Sequence, residues 1–260
     1  MIVFLYSLTD IQILALFVGM AITVVVLIPG QIRCLAKPLA NSDAAEWAIR
    51  GMGTIITASI FVLGFSLVQT QSAFNRVEQQ VSAEASTVNQ LDRLLTRFGD
   101  PKIAEIRAGL QAYTHSVIAD EWPVLREGRG SNNTRAAFDP VSRGVLSLEP
   151  TAGRQATIYG EIVRKTDDVA EMREQRIENA IVALPTLFWL VTVLLLLLMS
   201  MMAALIDRTL ARTLGMSAQV AAVSALLAMV FINDRPFLGE TSVKSTAFEK
   251  TLVIITSRKI

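Results

Sequence analysis

Cysteine and histidine are almost missing from these 260 residues: each occurs once, as Cys34 and His115. A lone cysteine closes no intrachain disulfide and builds no cysteine-rich metal site. A lone histidine leaves no His-based triad with that cysteine and no multi-histidine metal centre. Cys34 reads as a small membrane-proximal hydrophobe, and His115 as a packed or half-exposed helix residue. There is no glycine-rich phosphate loop, because Gly51-Met52-Gly53 lacks the third glycine and a preceding strand. A net charge of +1 is too small to point to nucleic acid. No cofactor and no enzymatic activity are expected.

The absence that organises the chain is of charge. Arg33 is preceded by 22 uncharged residues, Arg50 and Arg76 bracket 25, Glu178 and Asp207 bracket 28, and Arg212 and Asp234 bracket 21. A helix needs roughly 20 apolar residues to cross a hydrocarbon core, so each run is long enough. Hydrophobic residues make up 52% and mean hydropathy is +0.46, the balance of a membrane protein. Charge concentrates elsewhere: 30 of the 47 charged side chains lie from Arg76 to Glu178, a stretch no bilayer interior accepts.

These runs predict an all-α, polytopic membrane protein with four transmembrane helices over residues 11–29, 52–71, 181–206 and 213–232. An extramembrane helical hairpin (72–180) is predicted between the second and third, and a tail (233–260) after the fourth. The first run follows a stretch without Lys or Arg and precedes no small-residue cleavage site, so it reads as a retained span. In the connector, Arg33, Lys37 and Arg50 are the cations, with Pro38 and Asn41-Ser42-Asp43 as turn and cap signals. No Gly or Pro falls between Gly64 and Gly99, and an apolar stripe continues through Val77, Val81, Ala85, Val88, Leu91, Leu95 and Phe98. Those three- and four-residue steps predict a helix leaving the membrane unbroken. Gly99-Asp100-Pro101 restarts it. Ile103, Ile106, Leu110, Tyr113 and Val117 form a second seam, 127–134 a flexible loop, and 136–148 a short helix. Ile158, Ile162, Val169, Met172 and Ile177 predict a long helix running straight into the third span. Pro185 falls in that span's first turn, and Thr251–Thr256 is β-prone. Small residues (Gly215, Ser217, Ala218, Ala221, Ala222, Ser224, Ala225) suit the fourth span to close packing in lipid.

An even number of spans places both termini and the hairpin on one side. The connectors hold five Lys and Arg, which leans toward a cytoplasmic connector side and an outer hairpin. No ionisable residue lies inside a span, which argues against proton relays and ion-coupled transport but not against a channel. Ser59, Ser66, Gln69 and Thr70 could line an ion path along span two; equally, they could hydrogen-bond to neighbouring helices or mark the interface. Asp167, Asp168, Glu171, Glu174 and Glu178 form an acidic face. Arg164, Lys165, Arg173 and Arg176 among them favour surface ion pairs over a divalent cation.

Three stretches carry a family resemblance: Gly64-Phe65-Ser66-Leu67 leading to Phe74-Asn75-Arg76 and Glu84-Ala85; Tyr113 followed by Val117 to Glu121-Trp122-Pro123; and Asp234-Arg235-Pro236-Phe237 with Gly239. Leu184-Pro185 with Trp189 adds to them. The chain resembles the bacterial bestrophin-like membrane family over roughly residues 10–255. It departs from true bestrophins in its smaller soluble part and in lacking the acidic cluster after their Pro-Phe-Gly element. The resemblance implies an oligomeric ion channel for small anions, its pore along span two. A non-conducting scaffold or sensor whose hairpin binds a partner is the alternative. Glu121, Trp122, Pro123, Asp234, Arg235, Pro236, Phe237 and Gly239 are expected to be structural. The expected partners are the lipid bilayer and further copies of the chain, and the expected location is the inner (plasma) membrane, with hairpin and termini on the outer side.

Overall fold

The computed structural model describes residues 5–29, 31, 42–181 and 183–258. Cys34, Arg33, Lys37, Pro38 and Asn41 lie outside the described residues. The elements are α1 (Asp10–Ile22), α2 (Ser42–Phe98), α3 (Ile103–Ser116), α4 (Trp122–Leu125), α5 (Asn132–Leu146), α6 (Arg154–Asn179), α7 (Thr186–Leu205), α8 (Leu210–Asn233) and α9 (Thr246–Ser257). No strand occurs among the described residues. Two compact units divide the chain, Met1–Phe74 with Ala183–Thr241, and Asn75–Val182 with Ser242–Ile260.

The first unit holds the four helices long and apolar enough to cross a membrane: Asp10–Leu27, the start of the Asp43–Phe98 helix, Thr186–Leu205 and Leu210–Asn233. A capping box starts α1, with Thr9 and Gln12 satisfying each other's backbone N–H. Its end loosens into a π turn, Thr23–Leu27. That register frees carbonyls, and Ser200 Oγ donates to Val24 O while the Arg208 guanidinium donates to Val26 O. α8 packs along α1, and Ile13, Phe17, Val25, Met52, Leu63, Met199, Val220 and Leu227 fill the core. The outer faces are apolar: Leu187, Leu190, Leu194 and Leu197 are all exposed. Apolar surface on this scale suits lipid rather than water.

In the second unit the stripe from Val77 to Phe98 is buried along α2, and Ile103, Ile106, Leu110, Tyr113 and Val117 are buried opposite. Gly99 (φ +78°) turns the chain out of α2, and Asp100 Oδ1 accepts the Lys102 N–H at 2.8 Å. α5 begins at Asn132, inside the predicted loop, because Ser131 Oγ caps the Thr134 N–H.

Two expectations are corrected. The long arm does not run straight into the third span: α6 ends at Asn179 and α7 begins at Thr186. Pro185 disfavours helix in the residue before it, and the Leu184 N–H is taken by Asp234. The β-prone tail is helical. Its Phe248, Thr251 and Ile255 recur at helical spacing and are buried, so packing of one helix face overrides local strand preference.

Candidate functional site

Three groups of side chains carry the chemistry that the sequence suggests. On α2, Ser59 (1% exposed), Ser66 and Thr70 are buried, while Gln69 is exposed. Seven- and four-residue steps keep the first three on one helix face. Ser59 Oγ donates to Ile55 O at 2.8 Å, and Thr70 Oγ1 donates to Ser66 O at 3.0 Å, so these hydroxyls are satisfied within their own helix. The opposite face presents Phe61 (75% exposed), Phe65 (75%) and Val68 (69%), with Gln69 beside them. Among the described residues nothing covers that face.

The second group is a buried charge cluster built around Glu121, at the end of a π turn, Val117–Glu121, that joins α3 to α4. Its carboxylate accepts Arg173 Nη2 at 2.7 Å and Arg173 Nε at 3.0 Å, and lies 3.5 Å from Arg176 Nη2. Glu84 accepts Arg176 Nε at 2.7 Å. The guanidinium of Arg176 also lies 5.4 Å from the Trp122 ring centroid and 5.5 Å from that of Phe248. Trp122 Nε1 donates to Val243 O at 3.3 Å, and Pro123 occupies the first turn of α4, where no N–H is needed. Two carboxylates and two guanidinium groups make the cluster neutral, which is how charges survive burial. Burial pushes the Glu84 carboxyl up, against the lowering pull of Arg176. It works against the Arg176 charge too, but Glu84 holds that charge in place and the net shift is upward. Burial likewise raises the Tyr113 phenol. A second network surrounds Asp92, whose carboxylate takes Arg107 Nε at 2.6 Å and the Arg258 guanidinium; Arg107 also donates to Ile255 O at 3.2 Å.

The sequence reading of surface ion pairs on α6 therefore holds only in part. Lys165–Asp168 (2.8 Å) and Arg164–Glu161 (2.5 Å) are such pairs, but Arg173 and Arg176 turn inward. The signal was present: Ile162, Thr166, Val169, Arg173 and Arg176 follow one helical face, in a phase one position away from Met172 and Ile177. His115 is exposed on α3. Among the described residues no group of three or more His, Cys, Asp or Glu could hold a metal.

The third group closes α8. Asp234 Oδ1 accepts the Leu184 N–H at 2.6 Å, tying the end of α8 to the approach of α7. Burial raises the Asp234 carboxyl, with the Leu184 hydrogen bond and Arg235 pulling it down. Pro236 and Phe237 are buried, Arg235 half-buried. Gly239 takes φ +85°, and a Cβ there would stand 3.4 Å from the Tyr6 ring. That ring stacks on Phe231 at 4.6 Å, its hydroxyl donates to Phe231 O at 2.8 Å, and Trp189 meets Phe231 edge-on at 6.1 Å.

Four apolar helices in one unit and a polar helical unit with a charged core define a helical membrane protein. The Bestrophin-like domain model matches residues 53–248, and the chain belongs to the bestrophin-like family. A crystal structure of a bacterial bestrophin homologue from Klebsiella pneumoniae is similar at a TM-score of 0.66 and 15% identity, over 96% of this chain and 99% of that one. A point variant of that homologue gives 0.67 over the same shares. A crystal structure described only as a membrane protein gives 0.66. At this identity the likeness is one of fold. No curated protein matches the chain.

Proposed function

We propose that the chain is a homo-oligomeric ion channel for small anions, its pore running along the uncovered face of span two, residues 52–71. The observation that carries this reading is the exposure of Phe61, Phe65 and Val68 beside Gln69. A ring of such faces supplies an apolar constriction with polar side chains next to it, and an apolar constriction gates by dewetting. Ser59, Ser66 and Thr70 are buried on the opposite side of the helix and are assigned a supporting place behind the pore face. A single copy has four spans without an internal charge, so a private pore within one chain is disfavoured and further copies are required. The unit formed by Asn75–Val182 and Ser242–Ile260 is taken as extramembrane, a helical hairpin of α2 and α6 with α3, α4, α5 and α9 packed on it. The Glu121-Trp122-Pro123 and Asp234–Gly239 elements are structural in this reading, and no step of catalysis is assigned to any residue. The inner membrane, with this unit and the termini on the outer side, remains the proposed location on the strength of the connector cations.

Planar-bilayer recording of purified protein under an anion gradient, with mass determination in detergent, is the test. An oligomer with anion-dependent reversal potential is expected, with Phe65→Ala raising basal conductance and Gln69→Leu changing ion preference. A monomer without conductance overturns the channel and leaves the scaffold or sensor reading.

A further inference from the structure

We propose that a basic groove between α2 and α6 is a binding site for a phosphate-bearing polyanion, of the diphosphate class. Arg93 and Arg97 lie one turn apart on α2, and Arg164 and Lys165 face the same groove from α6. The groove has a volume of about 430 Å³, within the range of small-ligand sites. Leu94 gives it one apolar wall and Gln90 an amide.

Its charges are unevenly matched. Glu161 pairs with Arg164 at 2.5 Å and Asp168 with Lys165 at 2.8 Å, so the α6 side is compensated. Arg93 and Arg97 are exposed and meet no carboxylate among the described residues. Arg129 pairs with Glu127 and Arg135 lies 3.7 Å from Glu174, while Arg76, Arg126, Arg143 and Arg154 are exposed singly without an ion pair among the described residues. Arg93 and Arg97 differ in standing one turn apart and facing two further cations across a groove. Two like charges four residues apart on a helix cost stability, and a third and fourth cation across the groove add to that cost. The uncompensated charge is two, which a dianion neutralises. Planar guanidinium forks match phosphate oxygens in pairs, a geometry that a point charge such as chloride does not use.

This assignment stands apart from ion conduction, and its test reads binding alone. The full chain in detergent is titrated calorimetrically with inorganic pyrophosphate, with chloride as comparator. Saturable binding that weakens with added salt is expected, together with a loss of about tenfold for each guanidinium removed in Arg93→Gln and Arg97→Gln. Both positions are exposed, and circular dichroism is expected to show unchanged helix content. Arg135→Gln, an exposed arginine outside the groove, is expected to bind as the parent does; an equal loss there makes the effect one of net charge and overturns the site. A second arm uses vesicles with and without a phosphorylated inositol lipid. Binding of those vesicles that Arg93→Gln/Arg97→Gln abolishes, without binding of soluble pyrophosphate, assigns the phosphate to a lipid headgroup. No saturable binding of either probe, or binding indifferent to both substitutions, overturns the proposal.

Discussion

Arg176 shows how one side chain can set the chemistry of a whole core. It is almost fully buried, paired with Glu84 and Glu121, and flanked by two aromatic rings. Arg176→Ala leaves two carboxylates buried with Arg173 alone, and a loss of about 3–5 kcal/mol is expected in chemical denaturation in detergent. The loss should depend on pH. With its countercharge gone, Glu84 keeps a proton in the folded state at pH values where the unfolded chain has released it. The damage is then smallest in acid and grows as pH rises above the ordinary carboxylate value of about 4.3. A pH-independent loss would show that Glu84 does not respond to Arg176. Asp234 provides a gentler case. Its folded carboxyl is raised, so its contribution to stability is greatest in acid and declines as pH rises from about 4 through the folded value. Asp234→Asn keeps an acceptor for Leu184 and should gain on the parent between pH 4 and 7. Asp234→Ala should cost about 1 kcal/mol in acid by orphaning that N–H, a cost that shrinks as pH rises and the parent's own contribution declines. Thermal melts of the three proteins across that range decide it.

At the scale of elements, α2 was the most legible part. Its 57 residues contain no proline, and its apolar stripe keeps helical phase from Val77 to Phe98. In α9 the strand preference of Val253, Ile254 and Ile255 outweighs, on local reading, the helical spacing of Phe248, Thr251 and Ile255, whose burial depends on partners distant in sequence. The break before α7 was hidden by apolar residues that continue across it; Pro185 marks it locally, but Asp234, which takes the Leu184 N–H, lies 50 residues away. The charged core escaped for a similar reason: Arg173 and Arg176 look like surface cations until Glu84 and Glu121, 92 and 52 residues distant from their respective partners, are brought beside them. Ile255, fully buried on α9, tests how far that helix supports its unit. Ile255→Ala is expected to lower stability by about 2–5 kcal/mol in detergent melts. A loss within measurement error would mean that α9 rests on the unit without supporting it.

For the whole molecule, the division into two units constrains topology more firmly than counting cations does. Asn75–Val182 and Ser242–Ile260 share one compact unit; with that unit extramembrane, as proposed, the chain between them crosses the bilayer an even number of times. With Cys34 replaced by serine, single cysteines at Glu149→Cys and Lys250→Cys, both exposed positions, are therefore expected to react with a membrane-impermeant thiol reagent from the same side. Labelling from opposite sides would show that α7 and α8 do not both span. The same discontinuity governs biogenesis. When the ribosome has completed α6, the ring of Trp122 still lacks Phe248, and Asp92 and Arg107 still lack Arg258 and the Ile255 carbonyl. Two hydrophobic helices must enter the membrane before α9 emerges to complete that unit. A nascent chain stalled ahead of residue 246 is expected to remain protease-sensitive between residues 75 and 182, and to become resistant only once the last helix is released.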